Sequence, residues 1–430
     1  MEVKKGYKQT EIGIIPEDWE IKTLDDLFCV SGGYPIPREK LSDNGYCYLH
    51  YGDIHKSERT FIDVTKDFFR IPKLKIPISK INFKSLLNDG DIVFVDASED
   101  EEGASKHIVI RNSKNIIFIS GLHTIVLKSK DQTLVNKYKQ FCFKSQDIKN
   151  QFYYFATGTK VFGISKSNIK KIQIPLPAFC EQTAIANVLS DIDALIESLE
   201  KLITKKRNIK QGAMQQLLTG KKRLPGFGGD GIKKQIDDIG YTYSGLSGKS
   251  KYDFLNGKYP YIPFLNILNH TIIDKNIFDY VQININEKQN KVLKGDLLFN
   301  GSSETPEEVG MCSVLLDFIP NLYLNSFCFG FRLNNLNQSN ALFFSYYFRS
   351  NEGRKLLFSM AQGSTRYNLS KKSFLKVKLS LPSFEEQTAI AEVLSEMDSE
   401  IEALEKKLDK YKKVKQGMMQ ELLTGKKRLT

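Results

Sequence analysis

The sequence predicts an α+β protein made as two copies of one plan. Two globular domains are separated by two long antiparallel helices that form a coiled coil, and an internal pseudo-two-fold repeat relates the halves. Two observations lead there. Residues 176–224 and 381–429, shifted by 205 positions, align without a gap and are identical at 32 of 49 places. A repeat of that length marks two halves ending in the same device. Ahead of each copy, short apolar runs bounded by turn residues predict small, mostly antiparallel sheets.

The repeated device reads as a helix. Apolar residues at Val188, Ile192, Leu195, Leu199, Leu202, Ile209 and Ala213 follow the 3.5-residue period of a coiled-coil seam. The second copy keeps it with Val393, Met397, Ile401, Leu404, Leu408, Tyr411, Val414 and Met418. Pro177 and Pro382 suit a chain still extended before each helix. Gly220 and Gly425, each after Leu-Leu-Thr, are C-terminal stops. Glu197/Lys201 and Glu402/Lys406 sit four apart on exposed faces. At 1.5 Å per residue such a helix runs roughly 55 Å, more than one small domain needs. The expected role is a spacer.

The expected divisions are 1–178 for the first domain, 179–222 for the first helix, 223–383 for the second domain and 384–430 for the second helix. RLPGFGGDG at 223–231 makes the hinge. Residues 1–28 predict an extended arm, a short strand and a helical turn, around Pro16 and the single Trp19. Ile21-Lys22 with Leu24–Leu27 is echoed by Ile232-Lys233 with Ile236–Ile239, and Gly231 replaces Trp19. Gly90-Asp91 and Gly295-Asp296 turn into apolar runs at the same 205 offset. IVFVDAS, HIVIRN, NIIFIS, HTIVLKS and KIQIPLP read as strands, as do LLFNGS, NLYLNS, CFGFRLN and KVKLSLP. Residues 136–156 and 340–361 read as helices. Residues 99–115 and 304–320 share almost nothing. Repeating scaffolds with differing loops suit two copies adapted to two different ligands.

At 430 residues, 41% apolar and 26% charged, the chain has the composition of an ordinary soluble globular protein of two or more domains. It has no apolar run of membrane-spanning length, and MEVKKGYKQTEIG has no signal core, so a cytoplasmic protein is expected. Six scattered cysteines without a CxxC pair predict reduced thiols and no zinc. A net charge of +12 favours a polyanionic partner.

Catalytic sets are absent. There is no phosphate loop of the GxxxxGK[ST] type, no HExxH and no NPPY-like tetrapeptide. Asp147-Ile-Lys149 and Glu20-Ile-Lys22 have a nuclease-like form without the upstream Pro-Asp. His50, His55, His107, His123 and His270 do not cluster and are each expected to be a satisfied or surface histidine, and the acidic run 99–102 reads as a solvated turn. No catalytic or metal-binding residue is expected.

The positive signal lies in the loop before each closing strand. In the first half it carries Thr157, Gly158, Thr159, Lys160 and Lys166; in the second, Gly363, Ser364, Thr365, Arg366, Tyr367, Asn368, Lys371 and Lys372. Hydroxyls and cations there suit phosphates, Arg366 suits guanine and Asn368 adenine. Arg38 and Lys40, with Lys249 and Lys251, add cations in earlier loops. Residues 201–223 hold eight Lys or Arg and no acid, which suits the helix dipole and also a cationic rim along a duplex.

With those residues in view, the chain resembles the specificity (S) subunit of type I restriction-modification systems. The likeness rests on TEIGIIPEDWE at the start, on TGTKVFGISKSNIKKIQIPLPAFCEQTAIANVLSDID, and on the closings QQLLTGKKRL and QELLTGKKRL. The resemblance implies two target-recognition domains on double-stranded DNA, held apart by two conserved helices. It implies a non-catalytic, cytoplasmic prokaryotic reader that recruits two methyltransferase (M) subunits and also restriction (R) subunits. S-adenosylmethionine and ATP would act on those partners, with no cofactor on this chain. An S-like subunit of a type II or fused system is the alternative, and a two-headed protein-interaction scaffold a distant one. Cys180 stands where the second copy has Glu385, and Gln-Gly-Ser-Thr-Arg departs from the first loop's Thr-Gly-Thr.

Overall fold

The computed structural model describes residues 4–98, 102–158, 162–255 and 257–429. It divides into two compact units, Met1–Leu199 with Lys407–Thr430, and Glu200–Lys406. The divisions fall inside the two long helices, Phe179–Leu217 and Phe384–Leu422. Each unit therefore holds the first part of one helix and the last part of the other.

In the first unit a five-stranded sheet runs in the order Phe28–Gly32, Thr124–Ser129, Ile92–Val95, His107–Arg111 and Phe61–Asp63. Neighbours are antiparallel except the last pair. The central strand Ile92–Val95 is buried at every residue, because both of its faces are covered. One face meets a core with Trp19, Phe94, Phe141 and Phe152; Val93 and Val95 on the other meet Leu49 and Ile54. A three-stranded sheet joins Phe118–Ser120, Tyr46–Leu49 and Lys73–Leu74.

The second unit repeats this plan. Its antiparallel sheet runs Gly240–Ser244, Cys328–Leu333, Leu297–Asn300, Cys312–Val314. Asp279–Val281, Tyr259–Ile262 and Tyr323–Leu324 form the smaller sheet. The Gly-Asp turns are built alike. Gly90 and Gly295 have φ of 80° and 88°. Asp91 accepts from the backbone N–H of Asn88 and pairs with Lys128; Asp296 accepts from Leu293 and pairs with Arg332.

Two expectations change. The stretch 136–156 is not one helix: 3₁₀ turns at Tyr138–Gln140 and Cys142–Lys144 precede a helix at Gln146–Phe155. Ser145 starts that helix afresh, its hydroxyl accepting from the N–H of Ile148. Ser350 likewise divides 340–361 into Ala341–Arg349 and Asn351–Phe358, capping Gly353. The N-terminal arm is a hairpin, Tyr7–Thr10 with Gly13–Pro16.

Within each unit the two helix segments lie antiparallel. In the first unit Glu181 meets Arg428 and Asp193 meets Lys415. In the second, Glu386 meets Arg223 and Asp398 meets Lys210. These pairs correspond one to one under the 205 shift. The seam is displaced from the expected one. Its positions in the first helix are Ile185, Leu189, Ile192, Ile196, Leu199, Ile203, Lys206, Lys210, Ala213 and Leu217, all buried or half-buried. Leu202 and Ile209 are 38% and 48% exposed, and Val414 is 41% exposed, so these three lie outside it. In the second helix Ile390, Leu394, Met397, Ile401, Leu404, Leu408, Tyr411, Lys415, Met418 and Leu422 are buried or half-buried. Val188, Leu195 and Val393 are half-buried beside the seam. Intervals of four and three are kept throughout.

Each helix ends at a turn with Gly220 or Gly425 at φ 69°, the left-handed stop that the sequence predicts. The Lys-Lys-Arg that follows is a clasp. In the first unit Arg428 Nε donates to Glu181 Oε1 at 2.7 Å and its other nitrogens reach Asp18 at 2.7 and 2.9 Å. Trp19 Nε1 donates to Glu181 Oε2 at 2.9 Å. Both Trp19 and Glu181 are buried. Tyr7 Oη donates to the carbonyl of Gly425 at 2.9 Å, so the chain's two end segments meet. In the second unit Arg223 Nε donates to buried Glu386 at 2.6 Å, and its other nitrogens hold the carbonyls of Gly228 and Gly229.

Candidate nucleic-acid interface

In the second unit the loop residues of the sequence reading are mounted on three short paired strands, Ser302–Ser303, Tyr367–Leu369 and Ala361–Gln362. Gly363 makes the tight turn. Its φ is 128°, and a Cβ there would strike the carbonyl oxygen of Arg366. Ser364, Thr365, Arg366 and Asn368 are exposed, and Tyr367 is half-buried. The Arg366 guanidinium lies 5.2 Å over the ring of Phe327, itself 54% exposed. Among the described residues Arg366 has no carboxylate partner. Asn368 Nδ2 donates to the carbonyl of Arg366 at 3.3 Å. A guanidinium without a carboxylate partner, over an aromatic ring and near the Asn368 amide, suits phosphate or base-edge contact.

Ser370 caps the next helix, Lys371–Leu375, by accepting from Ser373 N–H. This places Lys371 at the helix start, where Nζ donates to Ser244 Oγ at 2.9 Å and lies 5.6 Å from the Phe329 ring. Its burial pulls its pKa down. Lys372 is exposed, as is Lys251 at the start of Lys251–Leu255. Lys249 is a correction. Its side chain is 4% exposed and its ammonium is held by Glu287 and the carbonyl of Gln282. A lysine so neutralised offers no charge to DNA. In the basic stretch 201–223 only part of the charge is neutralised: Lys206, Arg207, Lys210 and Arg223 are paired with Glu400, Glu405, Asp398 and Glu386, while Lys205, Lys221 and Lys222 are exposed.

In the first unit Thr157 and Gly158 are exposed, and Thr157 exchanges two backbone hydrogen bonds of 2.9 Å with Gly163. Thr159 and Lys160 lie outside the described residues. Phe162–Gly163 pairs with Ala97–Ser98. Ser165 caps Lys166–Ile169 as Ser370 does its helix, and exposed Lys166 reaches back to Gly32. Arg38 and Lys40 are exposed on a 3₁₀ turn, with Arg38 bound to Asp53 at 2.9 Å.

Between the helix that Arg38 grips, Tyr51–Lys56, and the strand Ala97–Ser98 lies a cavity of about 920 Å³. His55, His107 and His123 line it, and the Tyr51 ring packs on His50, His55 and His123. Histidines scattered along the sequence are thus gathered by the fold. Lys56, Arg59, Lys106, Lys144 and Lys149 also line it. Sequence spacing holds no signal for these residues, because five separate segments bring them together. Among the described residues no three His, Cys, Asp or Glu are grouped to hold a metal, and no helix is long and apolar enough to cross a membrane. Of the cysteines, Cys29 and Cys180 are exposed and the other four buried, all as free thiols.

Two α+β units on one duplicated scaffold, the second with an exposed loop of hydroxyls and an unpaired guanidinium, suit a nucleic-acid-reading class of protein. The family model for the type I restriction modification DNA specificity domain matches twice, at residues 16–208 and 232–413. The chain belongs to that family, the DNA-recognition specificity subunits of type I restriction-modification systems. It is 27% identical to the putative type I restriction enzyme MjaX specificity subunit of Methanocaldococcus jannaschii, over 99% of this chain and 97% of that one. The MjaVIII specificity subunit of the same organism is 25% identical over 99% and 97%. The crystal structure of the type I restriction-modification S subunit from M. genitalium superposes with a TM-score of 0.54 at 18% identity, covering 98% of both chains. A chain from a structural study of complex assembly and conformational transition in the type I system gives 0.57 at 15% identity, covering 96% and 99%. These likenesses show the α+β fold with its long helices.

Proposed function

We propose that this chain is the non-catalytic reader of a cytoplasmic type I enzyme, and that it recognises a split, asymmetric DNA target. The observation carrying this reading is the duplicated scaffold with unlike loops. The same strand, cap and lysine recur at Ser165-Lys166 and Ser370-Lys371, while 157–160 and 363–368 differ. Each unit then grips one part of the target, and the two parts differ in sequence. The long helices act as a spacer that sets the unread gap. Two M subunits, acting with S-adenosylmethionine, and R subunits, driven by ATP, supply the chemistry on the assembled complex.

The test is DNA binding by the chain reconstituted with its M subunits. Arg366→Ala is expected to weaken target binding about tenfold or more, as the loss of one good base contact does, and to relax specificity in one part of the target only. Equal affinity and specificity for native and variant complexes across salt concentrations would reject the assignment.

A further inference from the structure

The cavity of the first unit carries features that reading DNA through the loops does not use. Three lysines crowd its inner wall. Lys144 and Lys149 line it, and Lys106 beside them is held by the carbonyl of His55. Burial, then the charge of Lys415, pulls Lys144 down to about 8, with Lys149 and Lys106 adding to the effect and Asp193 opposing it. Among the described lining residues Glu58 is the only carboxylate, and Arg59 is already paired with Asp67 and Glu197. Like charges held together in a partly enclosed space gain most from an anion placed between them.

The second feature is His107. It is 6% exposed and packed against Phe94 and Phe143 at 5.0 Å. Nδ1 lies 3.2 Å from the carbonyl of Ser105. A carbonyl only accepts, so Nδ1 carries the proton and Nε2 is left as an acceptor. Among the described residues no donor reaches that Nε2; backbone groups of Lys139 and Gln140 also face the ring and favour its protonated form less than burial disfavours it. A buried acceptor without a donor is destabilising, and a ligand N–H or O–H would satisfy it. Tyr51 and His123, edge to face at 5.4 Å, add aromatic surface to the lining.

An anion site, a buried acceptor and aromatic surface in one cavity of ligand size describe a phosphate, a hydrogen-bond donor and a ring. We propose that this cavity binds one nucleotide, with its phosphate on Lys144 and Lys149 and a base or sugar N–H or O–H donated to His107 Nε2. The nucleotide is a ligand, not a substrate, and Lys144, Lys149 and His107 lie outside the DNA-reading loop, which adjoins the cavity through the pairing of Phe162–Gly163 with Ala97–Ser98.

The experiment is calorimetric titration of the full chain with adenosine 5′-monophosphate, adenosine and inorganic phosphate. The monophosphate is expected to saturate one site, more tightly than either part alone. Lys149→Glu, a change on a half-buried residue, is expected to weaken it tenfold or more, while Lys149→Arg retains it and Lys144→Met weakens it. Displacement by a single-stranded oligonucleotide but not by blunt duplex would assign the occupant to an unpaired nucleotide of a strand. Resistance to both would assign it to a free nucleotide. Absence of saturable monophosphate binding to the native chain, or equal binding by folded Lys149→Glu, overturns the proposal. So does displacement by blunt duplex and oligonucleotide alike, which would make the cavity part of the duplex-binding surface. Retained DNA binding by Lys149→Glu separates this site from the loops.

Discussion

At the residue scale, the chain's charges divide into those that hold the fold and those left for a partner. Arg428 belongs to the first kind. It is bound to Glu181 and Asp18, and the hydrogen bond it donates to Glu181 does most to raise its pKa. Removing the guanidinium leaves a buried carboxylate with Trp19 Nε1 and the N–H of Leu429. Arg428→Ala is therefore expected to destabilise the first unit by about 3 kcal/mol in urea unfolding. Adding Glu181→Gln should recover part of that loss, because the stranded charge is then gone; an equal or larger loss in the double variant would contradict the clasp. His107 gives a pH signature. Burial holds it at about 4, so the folded chain refuses a proton that the unfolded chain takes near 6.5. Stability from this group is complete above pH 6.5 and falls as pH drops toward 4, by about 3 kcal/mol at most. His107→Gln should flatten that part of the profile, and an unchanged slope would refute it. Arg366 was legible as a free cation. Lys249 looks like a free cation in the sequence because its partner Glu287 lies 38 residues further along the chain, and only the fold joins them.

At the element scale, the duplication displayed the helices and their stops plainly, yet the first choice of seam was displaced. A single copy offers two plausible stripes, one through Leu202 and Ile209, the other through Ile203 and Lys210. The repeat decides between them. Leu202 aligns with Lys407 and Leu195 with Glu400, whereas Ile203 aligns with Leu408 and Ile196 with Ile401. Ile196, Ile203 and their counterparts Ile401 and Leu408 are buried or half-buried, whereas Ile209 and Val414 are apolar in both copies and still exposed. Three lysines in the true seam, Lys206, Lys210 and Lys415, disguise it, since each is neutralised by the helix segment packed beside it. A strict heptad permits a clean length change. Seven residues inserted after both Leu199 and Leu404 keep the stripe on one face and add about 10 Å. The proposed target should then keep its bases and gain about three base pairs of gap. Methylation mapping that finds the old gap would refute the spacer role.

At the scale of the whole molecule, strands and repeats were readable because they depend on local pattern, and the β-rich bodies fell where the apolar runs lie. The cavity was not readable, because it is assembled from segments around residues 51–60, 97–107, 123, 143–149 and Met419. The central proposal is that one scaffold, used twice with different loops, would read two unlike pieces of DNA. The most direct test is methylome sequencing of the host with and without this gene. The account predicts one methylated motif made of two dissimilar parts around a fixed unread gap, both lost together on deletion. A methylome unchanged by deletion, or a motif that is continuous or has identical halves, would contradict it.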